Sequence, residues 1–377
     1  TMDSAVVKAM RANPEMELAG QKKSRQNSLL PATFNLKTPD LVFEAPTGHD
    51  LRPGILQVID YPGIYAFQRR VQEGNIELAD IESRITRNSL SYRVRLSYSE
   101  LQYFIAKLRL LQSQDSIFDD LLKVNEVRYR VGQISNLERV NGESQYKRIQ
   151  YGLRQTRTDL KSARYSFNLL LGRANDTTFL PASPLSKMEV MDAGISMDTL
   201  LLSNNPLMAY STEQVIISAN SLRLERSKRV PGLVVGVLNQ GAPETGWLPR
   251  LRFGITLPLW QWTYQAQINA AKTGVEMART QRKLASFELQ TEYARAQAEF
   301  NQNRESLEYF ETAGLLQSRE ILRSAKESFR LGSINYYAYL QNLELSFTIR
   351  QNYLETLRKF NQSVLRLQYL KGEFQNP

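Results

Sequence analysis

The 377-residue chain has no cysteine, which excludes disulfides and thiolate metal sites. It has one histidine, His49, between Gly48 and Asp50 in a stretch that reads as a loop. A single imidazole leaves no material for a histidine metal cluster or a Ser-His-Asp triad on a helix. An exposed His49 without a role is expected. No apolar run reaches the roughly 18 residues that a transmembrane helix needs. No signal-peptide pattern opens the chain, which begins Thr1-Met2-Asp3-Ser4-Ala5 inside a helix-opening pattern. That start suggests a processed or recombinant chain, or an excised module. P-loop, dinucleotide-binding, His-Glu-x-x-His and nucleophile-elbow motifs are all missing. The expectation is a protein that is not an enzyme and holds no cofactor or resident metal.

Lys and Arg number 48 against 38 Asp and Glu, a net charge of +10. The basic residues are scattered among Glu, Gln and Asn in helical patterns, and no five of them run together. Solvated helix faces fit this better than a nucleic-acid surface, so no nucleic-acid partner is expected. Acidic pairs such as Asp119-Asp120 read the same way. Met188, Met191 and Met197 are irregularly spaced and read as packing or exposure rather than soft-metal ligands.

The positive signal is a stretch that occurs twice. Arg128-Tyr129-Arg130-Val131-Gly132-Gln133-Ile134-Ser135 is echoed by Ser328-Phe329-Arg330-Leu331-Gly332-Ser333-Ile334-Asn335, an offset of 200 residues. A glycine closing one periodic run, then Ser or Asn opening the next, is a helix stop followed by a helix start. Each copy reads as the turn of a long helical hairpin. Asn205-Pro206 echoes Asn13-Pro14, Pro231 echoes Pro31, Gly274 matches Gly74, and Leu370-Lys371-Gly372 matches Leu170-Leu171-Gly172. Gly314 has no counterpart. The chain divides into a first repeat over 1–172, a connector over 173–199 and a second repeat over 200–377.

Residues 3–30 read as one helix, which Asn13-Pro14 is placed to break or kink. The proline-rich stretch 31–62 carries short strand-like pieces at Thr33–Lys37, Leu41–Ala45 and Ile55–Ile59. Pro39, Pro46, Pro53 and Pro62 make it an unusual pair of strands. Residues 63–130 hold no proline and predict one helix of roughly 100 Å. A helix over 135–171 follows. In the second half the same plan predicts a helix to Lys228, strands over 232–239 and 248–259, a long helix over 262–330 and a last one to Leu370.

Tyr146, Ile149, Leu153, Thr156, Leu160, Ala163, Phe167 and Leu170 alternate steps of 3 and 4, a coiled-coil seam. The second half keeps this seam from Ser346 to Leu370 and adds an adjacent one through Leu343, Phe347, Arg350, Leu354, Leu357, Asn361 and Val364. A helix with two adjacent seams touches a neighbour on each side, as in a wall of helices. In Leu251-Arg252-Phe253-Gly254-Ile255-Thr256-Leu257-Pro258-Leu259 the odd positions are apolar and the even ones polar or small. The pattern suits an outer-membrane barrel strand with Leu251, Phe253, Ile255 and Leu257 facing lipid, and Trp260 and Trp262 in an interface girdle. A soluble sandwich strand gives the same alternation. About four strands per chain cannot close a membrane barrel, so they would be shared among protomers in a ring.

The two Asn-Pro pairs, Tyr-x-x-Gly at 129–132, Phe-x-x-Gly at 329–332, Leu-Leu-Gly at 170–172 and the strand-to-helix passage Leu257-Pro258-Leu259-Trp260 resemble the TolC family of outer-membrane efflux channels. The resemblance implies a mainly α fold in which duplicated long hairpins form an α-barrel. It also implies a homotrimer whose protomers each give four strands to a 12-stranded outer-membrane β-barrel. On this reading the chain sits in the outer membrane of a Gram-negative bacterium with a large periplasmic part. It conducts solutes outward as the passive channel of a tripartite efflux system. Its partners are a periplasmic adaptor, an inner-membrane pump of the resistance-nodulation-division (RND) type and outer-membrane lipid. The stretch Leu51–Pro62 is similar to a form found in metal-efflux pumps, some of which fuse such a module to the pump, and implies metal cations as cargo.

Adaptor docking is implied at the hairpin turns, on Val131, Gly132, Ile134 and Ser135 and on Leu331, Gly332, Ile334 and Asn335. The family archetype closes its tip with an Asp bonded to a Tyr and an Arg, and adds acidic rings. Counted from the glycines, those positions fall on Glu138, Phe329, Ile334, Ala338 and Gln341. Arg139 and Arg330 are alternative partners for Glu138. The expectation is a tip held mainly by packing of Ile134, Ile334, Tyr336, Tyr337 and Tyr339, with Glu138 secondary. The competing reading is a structural coiled-coil scaffold without a membrane barrel.

Overall fold

The computed structural model describes residues 1–45, 51–173, 178–189, 204–241 and 246–374. His49, Met191, Met197 and much of the 173–199 connector lie outside these residues. The elements are α1 (Met2–Ala12), α2 (Pro14–Ser28), a 3-10 turn (Pro31–Thr33), β1 (Asp40–Glu44), β2 (Arg52–Ile59), α3 (Pro62–Arg130), α4 (Asn136–Leu170), α5 (Pro206–Ser227), β3 (Gly232–Asn239), β4 (Pro249–Thr256), α6 (Gln261–Tyr309), a π turn (Phe310–Gly314), α7 (Leu315–Arg330) and α8 (Tyr336–Lys371).

The Asn-Pro pairs are helix starts. Asn13 Oδ1 accepts from the Glu15 amide at 2.9 Å, and Asn205 Oδ1 from the Leu207 amide at 2.8 Å. The proline takes the first helical position, where its missing N–H costs nothing. The expected helix over 3–30 is therefore two helices. The expected strand Thr33–Lys37 does not form: Pro31 opens a 3-10 turn, and Thr33 Oγ1 donates to the Leu30 carbonyl at 2.7 Å. The Lys37 carbonyl accepts from Gln57 Nε2 at 2.7 Å, from a side chain rather than a ladder. Pro46 lies outside the described residues, and the other prolines of this stretch punctuate. Pro39 precedes β1, Pro62 opens α3, and Pro53 lies beyond the end of the β2–β3 ladder, which begins at Gly54.

Two compact units cut across the sequence halves. One comprises Glu17–Ile85 and Leu202–Glu288 and holds the sheet. The sheet is fully antiparallel in the order β1-β2-β3-β4. Leu41, Phe43, Ile55, Leu233, Val237, Leu251, Phe253 and Ile255 share one face and are exposed. Glu44, Gly54, Gly236, Leu238, Arg252 and Gly254 share the other. Arg252 Nη1 meets Glu44 Oε1 at 2.5 Å although β4 and β1 are opposite edges. By register Arg252 is level with Gly236, Leu56 and Asp40, so Glu44 lies three strands across and four residues along. In a flat sheet that separation would be roughly 20 Å between Cα atoms. The sheet therefore coils toward the Arg252 face, leaving the apolar face convex.

The other unit comprises Thr1–Met16, Thr86–Leu201 and Leu289–Pro377 and is helical. Its cores gather around Tyr98 and Phe167 and around Leu343 and Phe347. In α4 the expected seam is buried at Ile149, Leu153, Thr156, Leu160 and Phe167. In α8 both seams are buried, one at Ser346, Phe360, Ser363, Leu367 and Leu370, the other at Leu343, Phe347, Leu357, Asn361 and Val364. The described part of the connector lies along α3 and α8. Asn361 donates to the Ser186 carbonyl at 2.8 Å and accepts from the Met188 amide at 3.0 Å, and Gln102 donates to the Ser183 and Pro184 carbonyls.

The helix expected over 262–330 is interrupted by the π turn at Phe310–Gly314. A π turn takes up one extra residue. Before it, Leu289, Tyr293 and Phe300 are buried where α3 buries Leu90, Val94 and Leu101, an offset of 199. After it, Ser318 and Ala325 are buried where α3 buries Phe118 and Asn125, an offset of 200. The Gly74–Gly274 match is thus not a structural equivalence. A Cβ on Gly74 would meet Ile217 at 2.6 Å, and one on Gly274 would meet nothing within 4 Å.

Below the π turn the second hairpin is zipped by small residues. Ser318 Oγ donates to the Ser346 carbonyl at 2.9 Å and Ser346 Oγ to the Ser318 carbonyl at 2.8 Å, both fully buried. The first hairpin has Phe118 and Tyr146 at these positions. Ser318→Leu should lower stability by about 1–3 kcal/mol through overpacking, more than the roughly 1 kcal/mol of Ser318→Ala. Thermal unfolding of both variants checks the order.

Candidate functional site

Two places stand out on the surface: the convex face of the sheet and the two hairpin turns. The convex face is almost wholly apolar along β4, with Leu251 73% and Phe253 76% exposed. Ile255 continues it, and Leu257 follows just past the strand end, also exposed. Eight residues of strand span about 26 Å, close to the roughly 25 Å apolar band of outer-membrane strands. Exposed indoles flank both ends, Trp247 before β4 and the Trp260–Trp262 pair after it, with ring centroids 5.2 Å apart. Among the described residues no helix is long and apolar enough to cross a membrane.

Both hairpin turns are built alike. Gly132 and Gly332 have φ of +72° and +70°, the left-handed conformation that glycine adopts without a Cβ penalty. The Gln133 amide donates to the Arg128 carbonyl at 2.8 Å and the Ser333 amide to the Ser328 carbonyl at 2.9 Å. With Gly132 to Tyr129 and Gly332 to Phe329, these complete two Schellman caps. Val131 and Leu331 stand exposed at 62% and 73%. Ser135 and Asn335 start the next helices, accepting from the amides of Glu138 and Ala338.

Glu138 is occupied in this cap. Its Oε2 accepts from the Ser135 amide at 2.8 Å and from the Ser135 hydroxyl at 3.0 Å. Ser135 and Glu138 form a capping box, the Ser-x-x-Glu spacing legible in the sequence. Arg139 turns instead to Glu143 and Asn136, with its guanidinium over the Tyr129 ring. Lys147 holds the Glu143 carboxyl below its ordinary range by a hydrogen bond and its charge.

The turns meet through aromatic rings. Phe329 stacks on Tyr339 with centroids 4.5 Å apart and planes 2° from parallel. The Arg128 guanidinium lies over Phe329 at 4.8 Å, linking α3 to α7 and α8. Tyr336 is buried and packs against Phe329 at 6.2 Å. Burial pushes the phenols of Tyr336 and Tyr339 up. A Cβ on Gly142 would come within 2.4 Å of the Tyr336 hydroxyl and 2.7 Å of the buried Asn125 amide, so α4 approaches closely there. Ile334 packs against this cluster, Ile134 is half-buried, and Tyr337 and Gln341 are exposed. Arg128, Asn125 and Gly142 carry no local sequence signal for a role at the tip. Only the fold brings Arg128 to Phe329, and Gly142 reads in the sequence as a helix weakener.

Ser135→Ala should cost about 1 kcal/mol of local stability and speed amide exchange at the start of α4. Glu138→Gln keeps the acceptor and should exchange at the parental rate. Hydrogen exchange over residues 135–140 measures both.

No protein-family model matches the chain, and no curated protein matches its sequence. Solved structures do match. The Campylobacter jejuni CmeC outer membrane channel superposes with a TM-score of 0.82 at 15% identity, covering 98% of this chain and 85% of that one. The outer membrane protein VceC of Vibrio cholerae gives 0.82 at 14%, covering 98% and 96%. CusC, solved in a study of folding and transmembrane channel formation, gives 0.81 at 15%, covering 98% and 91%, and so does not stand apart from the others. The chain has the fold of these channels: long helices in duplicated hairpins and four strands.

Proposed function

We propose that this chain is one protomer of an outer-membrane export channel that works with a periplasmic adaptor and an inner-membrane pump. The observation that carries the proposal is the four-stranded sheet with an apolar convex face, indoles at both ends and two edge strands. Lipid cannot satisfy the backbone N–H and C=O groups of an edge strand. Pairing β4 of one copy with β1 of the next removes every edge, and three copies give a 12-stranded barrel. The chain acts as a passive, non-enzymatic conduit in the outer membrane, with its helical hairpins on the periplasmic side. The resemblance of the Leu51–Pro62 stretch to metal-efflux pumps implies metal cations as cargo.

The hairpin turns are the docking points for the adaptor. Exposed Val131 and Leu331 on identical Schellman turns support this, as they offer repeated apolar knobs beside Gly132, Ile134 and Ser135 and beside Gly332, Ile334 and Asn335. The aperture is held by the Arg128–Phe329–Tyr339 stack and the Tyr336 cluster, with Glu138 secondary because its carboxylate is committed to its own helix cap.

A charge facing lipid at mid-depth costs about 2–4 kcal/mol. Phe253→Arg should therefore impair assembly into outer-membrane vesicles while leaving the helical content intact; normal assembly would favour the scaffold reading. In planar bilayers Phe329→Ala should raise conductance and Glu138→Gln should leave it near the parental value. If Glu138→Gln opened the channel as strongly, the packing account of the tip would be wrong.

A further inference from the structure

Resting on the channel reading, we infer that the Arg252–Glu44 bond is an exchangeable clasp. A single chain makes it with itself, and in the ring Arg252 makes it with Glu44 of the adjoining copy, which fixes the register of β4 against the next β1. Within one chain the bond runs 2.5 Å from Arg252 Nη1 to Glu44 Oε1, between the two edges of the sheet. β4 and β1 are not hydrogen-bonded neighbours there, so both edges keep their backbone groups for a second copy. The edges carry opposite charge on the concave face, Arg250 and Arg252 on β4 against Asp40 and Glu44 on β1. Glu44 also stands opposite Arg52 in its own hairpin, and the Arg52 guanidinium donates to the Gln240 carbonyl at 3.3 Å.

Face, tilt and strand length select the same register. The exposed apolar residues of both edge strands have odd numbers, so only registers that set odd against odd carry one apolar face across the junction. Asp40 is level with Arg252 across one copy. If the next copy entered with its Asp40 at that level, the strands would stand upright, and closed barrels need tilted strands. From strand rise and spacing, an offset of two residues per copy tilts them by roughly 20°, four by about 35° and six by roughly 47°. Closed barrels have tilts of about 35–45°. The direction of the offset is the one in which Arg252 already reaches Glu44, four residues along from Asp40. With an offset of four, Asp40–Glu44 lies wholly against the stretch from Arg252 to Thr256. With six, Asp40 and Leu41 run past the end of β4. In the selected register Arg252 faces Glu44, Phe253 faces Phe43, Ile255 faces Leu41 and Thr256 faces Asp40. Each copy gives up one Arg252–Glu44 bond on assembly and gains one, so ring closure leaves neither charge without its partner.

The chain has no cysteine, so an introduced pair reports without background. Directly opposed residues of an antiparallel pair have Cα atoms about 4.5–5.5 Å apart, within reach of a disulfide, and residues two places off lie about 7–8 Å apart, beyond it. Arg252→Cys with Glu44→Cys, oxidised in outer-membrane vesicles, should give covalent dimers and trimers on non-reducing gels. Glu44→Cys with Arg250→Cys, or with Gly254→Cys, should give roughly ten-fold less interchain product. Charge exchange decides the matter if the cysteine variants do not assemble. Glu44→Arg and Arg252→Glu should each lower the assembled fraction, and co-expression of the two should raise it again. A junction between unlike copies restores the pair, whereas a bond within either chain stays broken. Stronger linkage through Arg250→Cys or Gly254→Cys, product linked only within single chains, or charge variants that assemble normally or show no mutual rescue overturn the inference and leave the channel reading standing. Absence of both conductance and a membrane-inserted oligomer from the parental protein removes the channel reading, and this inference with it.

Discussion

A β-strand edge in contact with hydrocarbon has nowhere to place its backbone hydrogen bonds. On the proposed channel reading, that constraint organises the sheet. The chain puts apolar residues on one face of four short strands and leaves both edges as bare backbone. In water such a sheet would be an aggregation hazard. In a bilayer it is stable only as part of a closed ring. The coil that brings Arg252 to Glu44 already bends the wall in the sense that closure needs.

Helices and sheet solve opposite problems. In the proposed ring the strands must be alike from copy to copy so that edges match. The two hairpins must differ, because one chain contributes both. Their turns are nearly identical, with the same left-handed glycine and the same pair of cap bonds. The difference lies behind the turns. The second hairpin is drawn together by reciprocal Ser318–Ser346 bonds, while the first has Phe118 and Tyr146 at the matching places. The turns therefore offer one surface twice on two mechanically different supports.

Much of this was legible in the sequence because it depends on local chemistry. Alternation at 251–257 marks the exposed apolar face, Asn-Pro marks helix starts, and the step pattern of α4 and α8 marks the seams. What failed depends on competition or on distance. Thr33–Lys37 has strand-like residues, but Pro31 and the Thr33 hydroxyl favour a 3-10 turn. The Arg128–Phe329 contact joins residues 201 apart, and no spacing rule reaches that far. The π turn left one trace in the sequence, the unmatched Gly314.

That π turn works like a frameshift in the repeat. The duplicated halves share one count of residues after the π turn and another before it, and the register changes within a single turn of helix. Any property carried from one half to the other by adding 200 is sound from Gly314 to the second hairpin turn. Along the Leu289–Phe300 segment it lands one residue late, about 100° around the helix, on a side chain that faces a different neighbour.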